Sequence, residues 1–333
     1  MTGQEKTKLI SVIIPVFNGE RTVERAVRSV LANRTDGIGI ETIVVDDGST
    51  DATPKILDRL ARETDIRLIR TENRGAAAAR NAGLKTAKGE FVGFVDSDDR
   101  IEPDMYRKLL TALSEHDADL AGCGVIHETE YGAVPEKGDG EAAVLEGKTI
   151  YRAILGSQGF RGYLWNKLFK RERIRTPLDE SLLQCEDLLF CAQNLEGVRR
   201  AVYLSEPLYH YTRKADGEEL SLKRGLSLAD AQEKLLALYR EKAPGSAQIP
   251  ERNLLKTFLH LRAKAKQEHE RDKTVLFRIR NGIKLHFRRV MREKGMSVKT
   301  KGNIVLTCLF PRTSLRIKQR ILKKRHQNGI WES

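Results

Sequence analysis

The chain has 333 residues, 40% of them hydrophobic and 32% charged, with a formal net charge of +13. That length suits one large domain with a smaller companion, and it leaves room for a sizeable core beneath a heavily charged surface. No apolar run approaches the roughly 20 residues of a membrane span, and the first residues lack the apolar core of a secretion signal. Four cysteines (Cys123, Cys185, Cys191 and Cys308) form no C-x-x-C pair, which excludes a disulfide framework read from spacing and predicts reduced thiols in a cytoplasmic protein.

The charge is unevenly placed. From residue 251 to the end there are 23 Lys/Arg against 6 Asp/Glu, a local +17 that leaves −4 for the first 250 residues. A mildly acidic front module, residues 1–222, and a helical basic tail module, residues 223–333, are expected.

Residues 9–15 are a β-rich run closed by Pro15 and predict a strand. Asn18-Gly19 predicts a turn, and residues 20–31 carry apolar positions at helical spacing. Residues 42–46 predict a second strand, followed by Asp47-Gly48-Ser49-Thr50-Asp51, a turn with helix-start chemistry. A helix to about residue 62 and a short strand at 66–70 follow. An alanine-rich helix at 76–86 has side chains small enough to lie close to a sheet. Residues 91–95 read as a buried strand. Strand and helix in strict alternation predict a doubly wound, mostly parallel α/β sheet. Further on, the pattern predicts a helix begun by Pro103, a strand at 119–127, and a loop or hairpin at 129–147. An apolar island at 165–169, a helix opened by Glu186-Asp187 and a strand at 201–204 come next. Residues 208–211 read as a turn leading out to a polar loop. From residue 227 the chain reads helical, with segments at 228–239, 252–268, 274–292 and 312–324.

Three constellations carry chemistry in the front module. Asp96-Ser97-Asp98-Asp99 crowds three carboxylates behind a buried strand. Like charges this close repel, so the cluster calls for a cation, and the tip of a strand in an open α/β sheet is where ligands sit. Hard oxygen ligands suit Mg²⁺ or Mn²⁺ holding a diphosphate. Asp47 at the tip of the second strand can accept a hydrogen bond from a base, with Gly48 letting the backbone turn close to a ligand; helix capping is the plainer reading of the same residues. Asn73-Arg74-Gly75 with Arg80-Asn81-Ala82-Gly83 reads either as a capped helix or as part of the same ligand site.

Ile14-Pro15-Val16-Phe17-Asn18, Val45 to Asp51, Asn73-Arg74-Gly75 with Ala79 to Gly83, and Asp96 to Asp99, in this order and spacing, resemble the family 2 glycosyltransferases. The resemblance covers about residues 9–215. It implies a GT-A fold, a UDP-sugar donor, a divalent metal and inversion at the anomeric carbon. By analogy Asp47 meets the nucleotide base in a pocket lined by Pro15, Val16, Asn18 and Asn73, with Arg80 near the base. Asp96 and Ser97 lie at the ribose, and Asp98 is the main metal ligand with Asp99 beside it. Glu186-Asp187 is similar to the family's acidic pair, with Asp187 as general base and Glu186 as its orienter. An attacking sugar hydroxyl must lose its proton as it adds, and a carboxylate on the acceptor side can take it. Tyr209-His210-Tyr211-Thr212-Arg213 with Ser221 resembles a loop that closes over the diphosphate. There His210 contacts metal or phosphate, and Arg213 or Ser221 binds phosphate oxygens. Asp216-Gly217-Glu218-Glu219 lengthens that loop beyond the compact family pattern. Trp165-Asn166-Lys167 fits the island before the base, either bordering the acceptor pocket or packed in the core.

The expected activity is transfer of a hexose or N-acetylhexosamine from a UDP-sugar to a cell-surface glycan or lipid-linked acceptor. The rivals are a nucleotidyltransferase, which lacks an Asp187-type base, and a catalytically silent sugar-nucleotide-binding scaffold. The tail, mixing cations with apolar residues, reads as a solvated helical bundle or as a peripheral attachment to an anionic membrane face. Oligomerisation and binding of an anionic polymer are further readings. Nucleic acid is disfavoured, because neither a recognition motif nor interleaved aromatics is visible.

Overall fold

The computed structural model describes residues 7–35, 37–130, 132–136, 142–156, 159–212, 220–293, 301, 302 and 305. It divides into two compact units. The first comprises residues 1–181 and 186–217; the second comprises residues 182–185 and 218–333.

The first unit opens with β1 (Lys8–Val16), α1 (Val23–Leu31), β2 (Ile38–Asp46), α2 (Thr53–Glu63), β3 (Ile66–Arg70), α3 (Ala76–Thr86) and β4 (Phe91–Phe94). It continues with β5 (Arg100–Ile101), α4 (Met105–Glu115), β6 (Leu120–Thr129), β7 (Gly132–Pro135), β8 (Ala142–Glu146) and α5 (Lys148–Ile154). The last elements are β9 (Lys167–Lys170), α6 (Glu186–Gln193) and β10 (Arg200–Thr212). The strands form one sheet in the order β3-β2-β1-β4-β9-β6-β10-β5, with β7 added to β6 and β8 to β10.

The four strands β3-β2-β1-β4 are parallel, as strand–helix alternation requires. β1 is buried on both faces from Ile10 onward, which its near-continuous run of β-branched residues reflects. α1 covers the sheet with Val23, Ala26, Val27 and Val30, one stripe at helical spacing. α3 packs without large side chains: a Cβ on Gly83 would meet Ile13 Cγ2 at 2.5 Å. That contact holds α3, and with it Arg80, tight against the central strand.

Beyond β4 the sheet becomes mixed. The apolar island supplies β9, which runs antiparallel to both β4 and β6. Residues 129–147 contribute β7, a hairpin partner of β6, and β8, an antiparallel partner of β10. Residues 208–211, expected to turn outward, continue β10 instead. Past a register shift near Pro207, Tyr209 to Thr212 pair in parallel with Val125 to Glu128 of β6, and Tyr209 and His210 pair with β5. Partners distant in sequence, invisible to local pattern, made the difference.

The second unit holds α7 (Leu222–Lys242), α8 (Gln248–Gln267) and α9 (Lys273–Met291). Leu222, Ala229, Leu236, Leu254, Phe258, Leu261, Ala265 and Ile279 form its own core. A Cβ on Gly282 would meet the Phe258 ring at 2.5 Å, so α9 crosses α8 closely there. The helix expected at 312–324 lies outside the described residues. Among those described, no helix is long and apolar enough to cross a membrane.

Candidate active site

The tips of β1, β2 and β4 and the start of α3 enclose a cleft of about 280 Å³. Pro15, Val16, Asp47, Asn73, Arg80, Asp96, Ser97 and Asp98 line it, together with Phe17, Gly75, Ala76 and Ala79. Eight residues chosen from the sequence thus share one cavity. Phe17, which motif reading passed over, is 46% exposed at its wall; it directly follows the buried run of β1, at the strand tip where ligands sit.

Asp47 is almost wholly buried and fastens the wall together. Its Oδ1 accepts from Arg74 N (3.0 Å) and Thr71 Oγ1 (3.2 Å), and its Oδ2 from Gly75 N (2.8 Å). Carboxylates satisfied by backbone N–H groups are strong, directional anchors. Gly48 has φ +75°, and a Cβ there would meet Asn73 N at 2.9 Å, so the two loops approach only because this residue is glycine. Asn18 occupies the same left-handed region at φ 52°. Its Oδ1 accepts from Thr50 N (2.8 Å), and its own N–H donates to Ser49 Oγ (3.0 Å). It ties the β1 and β2 loops from outside the set of cleft-lining residues.

The acidic turn has three different environments. Asp96 Oδ1 accepts from Arg80 Nη2 (2.7 Å). Asp98 lines the cleft, and its carbonyl accepts from Arg25 Nη2 (2.7 Å). Asp99, expected beside the metal, is turned into the protein at 1% exposure. Its oxygens accept from the Tyr209 hydroxyl (2.7 Å) and Thr212 N (2.7 Å). Burial, reinforced by Asp96, pushes its carboxyl up to about 8. The Tyr209 hydroxyl also accepts from Asp96 N (3.1 Å), so one β10 side chain holds both ends of the turn.

His210 differs from its expected role as metal or phosphate ligand. Successive side chains leave a strand on opposite faces. Tyr209 therefore points to Asp96 and Asp99, whereas His210 sits between Glu102 (Nε2 to Oε1, 2.5 Å) and Glu128 (Nδ1 to Oε1, 2.9 Å). Both ring nitrogens face carboxylates. Ser221, expected at phosphate, caps α7 by accepting from Arg224 N (3.3 Å). Arg213 lies outside the described residues.

The acidic pair opens α6. Phe190 on that helix meets Phe94 (6.0 Å) and Phe169 (5.9 Å) edge-on, which pins α6 against β4 and β9. Glu186 Oε1 accepts from Arg80 Nη1 (2.9 Å). Arg80 is buried, yet attraction to Asp96 and Glu186 outweighs the cost of burial and holds the guanidinium firmly protonated. It bridges the donor-side turn and the acidic pair. Asp187 Oδ1 accepts from Leu188 N (2.7 Å). Burial first, and Glu186 second, raise its carboxyl to about 7, the range suited to a base working near neutrality.

Lys167 on β9 is fully buried. Its Nζ donates to the Arg161 carbonyl and to Asn166 Oδ1, and burial lowers it to about 8. Trp165, at 7% exposure, stacks between Tyr163 (4.5 Å) and the Tyr209 and Tyr211 rings (4.3 and 5.5 Å). It belongs to the core, and through Tyr209 it stiffens the support of the acidic turn. Among the described residues no group of three His, Cys, Asp or Glu side chains forms a ready-made metal cage.

Acids gathered at the strand tips of a doubly wound sheet, joined through Arg80 to a second acidic pair at a helix start, match the GT-A class of glycosyltransferase folds. Structures of Staphylococcus aureus TarS agree. TarS 1–349 in complex with UDP superposes with a TM-score of 0.67 at 21% identity, covering 96% of this chain and 91% of that one. Residues 11–178 match Glycosyl transferase family 2, and the chain belongs to that family. EpsH of Bacillus subtilis (strain 168), named as a glycosyltransferase, is 33% identical over 213 residues, 62% of this chain. The chain spans 61% of the length of EpsH. Poly(ribitol-phosphate) beta-N-acetylglucosaminyltransferase TarS of S. aureus (strain Mu50) is 30% identical over 221 residues, 63% of this chain and 36% of TarS.

Proposed function

We propose that the chain transfers a hexose or N-acetylhexosamine from a UDP-sugar, with inversion, to a glycan or lipid-linked acceptor. The observation that carries this reading is the Arg80 bridge, 2.7 Å from Asp96 and 2.9 Å from Glu186. One rigid, charged side chain joins the turn that would hold the diphosphate to the pair that would take the acceptor proton. TarS structures hold UDP and UDP-GlcNAc on the same fold, which supports a uridine donor here.

The chain's own residues divide the work as follows. Phe17 offers an exposed ring to a base, and the loop fastened by Asp47 shapes the nucleotide pocket. Asp96, held by Arg80, faces the ribose. Asp98, which lines the cleft beside Asp96 and Ser97, would supply the carboxylate that holds a divalent cation. One or two carboxylates plus substrate phosphates are the usual complement for Mg²⁺. When bound, such a cation neutralises the charge of the departing diphosphate. Asp187 accepts the proton of the attacking hydroxyl, and Glu186 and Arg80 fix its position and charge.

A hydrolysis screen of nucleotide sugars with Mg²⁺ or Mn²⁺ tests the reading. UDP-hexose or UDP-N-acetylhexosamine is expected to be cleaved; cleavage confined to other nucleotides would overturn the donor assignment. In calorimetry, Asp98→Asn is expected to abolish the metal-dependent part of UDP binding. Unchanged binding would remove Asp98 from the metal site.

A further inference from the structure

The outward face of α9 is unlike the rest of its unit. The helix carries six Lys/Arg and no Asp or Glu. Its inner side buries Ile279 and Val290, with His286 set against Glu251 (Nδ1 to Oε1, 2.6 Å). Lys273, Phe277, Arg280, Lys284 and Arg288 follow one another at helical spacing along the opposite side, and all are exposed. Phe277 is 65% exposed in the middle of this cationic stripe, with Leu276 (41%) and Leu285 (48%) at its margins. None of these four cations has a carboxylate partner among the described residues, whereas Arg278, to the side, pairs with Asp230 and Glu233. Exposed apolar rings on a helix are costly in water, and unpaired cations around them leave the face without internal satisfaction.

The same face borders a cleft of about 650 Å³ between the end of α8 and α9. Arg262, Lys266, Arg271 and Arg280 ring it above an apolar floor of Leu276 and Ile279. Its one carboxylate, Glu270, is turned to the backbone N–H groups of Arg271 and Asp272 (2.7 and 2.8 Å). A cationic rim over an apolar floor suits an amphiphile with an anionic head.

We infer that this face of α9 docks on an anionic phospholipid surface, with Phe277, Leu276 and Leu285 entering the headgroup region and the cations pairing with lipid phosphates. Charge decides among the candidate occupants. A second copy of α9 would bring like charge to like charge. The chain's own residues 294–333 carry ten Lys/Arg and one Asp/Glu, so they are repelled in the same way. Nucleic acid would satisfy the cations but leave two aliphatic side chains without a purpose. A bilayer satisfies both components, and each Lys or Arg brought to such a surface strengthens attachment roughly fivefold. The inference goes beyond the proposed reaction and does not depend on it.

Vesicle flotation of the full chain tests the inference. Vesicles of phosphatidylcholine with phosphatidylglycerol are expected to carry the protein, and pure phosphatidylcholine is not. Salt is expected to weaken the attachment. Phe277→Ser is expected to lower binding several-fold, and Lys284→Glu with Arg288→Glu by well over tenfold, while both variants keep wild-type UDP-sugar hydrolysis in solution. Wild-type flotation by both variants would overturn the assignment to α9, as would loss of flotation only on removal of residues 294–333. Absence of wild-type flotation with hydrolysis intact would overturn the membrane surface while leaving the proposed reaction standing. Tighter binding to single-stranded DNA than to the anionic vesicles, lost in the same variants, would overturn the choice of lipid.

Discussion

The sheet unit and α9 treat positive charge in opposite ways. In the sheet unit several cations are turned inward. Arg80 is held between Asp96 and Glu186, Lys170 and Arg173 converge on the fully buried Asp119, and Lys167 caps a carbonyl in the core. On α9 Lys273, Arg280, Lys284 and Arg288 stand outward around a phenylalanine, without carboxylate partners among the described residues. Charge spent inside a fold fixes geometry, and its removal is felt at the bound partner. Charge left on a surface acts on whatever approaches, and its removal barely disturbs the fold.

The largest effect expected from breaking this contrast is at Asp187. Asp187→Asn should lower sugar transfer about 10²- to 10⁴-fold, the usual worth of a positioned base, with UDP affinity kept. A silent scaffold predicts no change in turnover, so steady-state kinetics decide between the two. In the wild type the base must be ionised, and its carboxyl is raised to about 7. Activity should therefore rise with pH through that value and level off above it, falling about tenfold per unit below. Arg80→Gln sharpens the comparison next. Arg80 draws the Asp187 carboxyl downward, so its loss should move the acid limb to higher pH. Leaving Asp96 and Glu186 without their cation should also cost about 2 kcal/mol in denaturant unfolding. A drop in stability with no movement of the limb would reduce Arg80 to a packing role. Smallest of all, Lys284→Gln on α9 should change unfolding stability by no more than about 0.5 kcal/mol. A loss as large as that of Arg80→Gln would erase the distinction between the two regions.

The family and the fold were legible because their signals are local. Strand-tip acids, the Asn18-Gly19 and Asp47-Gly48 turns and the small residues of α3 each stand within a few positions of the strand they serve. What local pattern could not supply was partnership across the chain. β9 exists because β4 and β6 leave a gap between them, and residues 208–211 extend β10 because β6 and β5 flank them. Asp99 looked like its neighbours until Tyr209 and Thr212, more than a hundred residues later, claimed its oxygens. His210 looked like a ligand until alternation along β10 sent it to Glu102 and Glu128. The Arg80 bridge was likewise unreadable, since its partners lie 16 and 106 residues away on different elements.

The floor beneath the acidic turn sets the order in which a growing chain becomes complete. Asp96 waits for a hydroxyl 113 residues downstream, and Asp99 for groups 110 and 113 residues downstream. Chains emerge from the ribosome N-terminus first, and contacts so distant in sequence form late because their loops must close first. The parallel strands β1 to β4 can therefore assemble as a nascent half-sheet, with the edge of β4 open until β9 arrives. An open edge invites pairing with other chains. The interval between the emergence of β4 and of β9 is then the window in which this protein is most exposed to misassembly, and slowed synthesis between residues 95 and 167 would lengthen it.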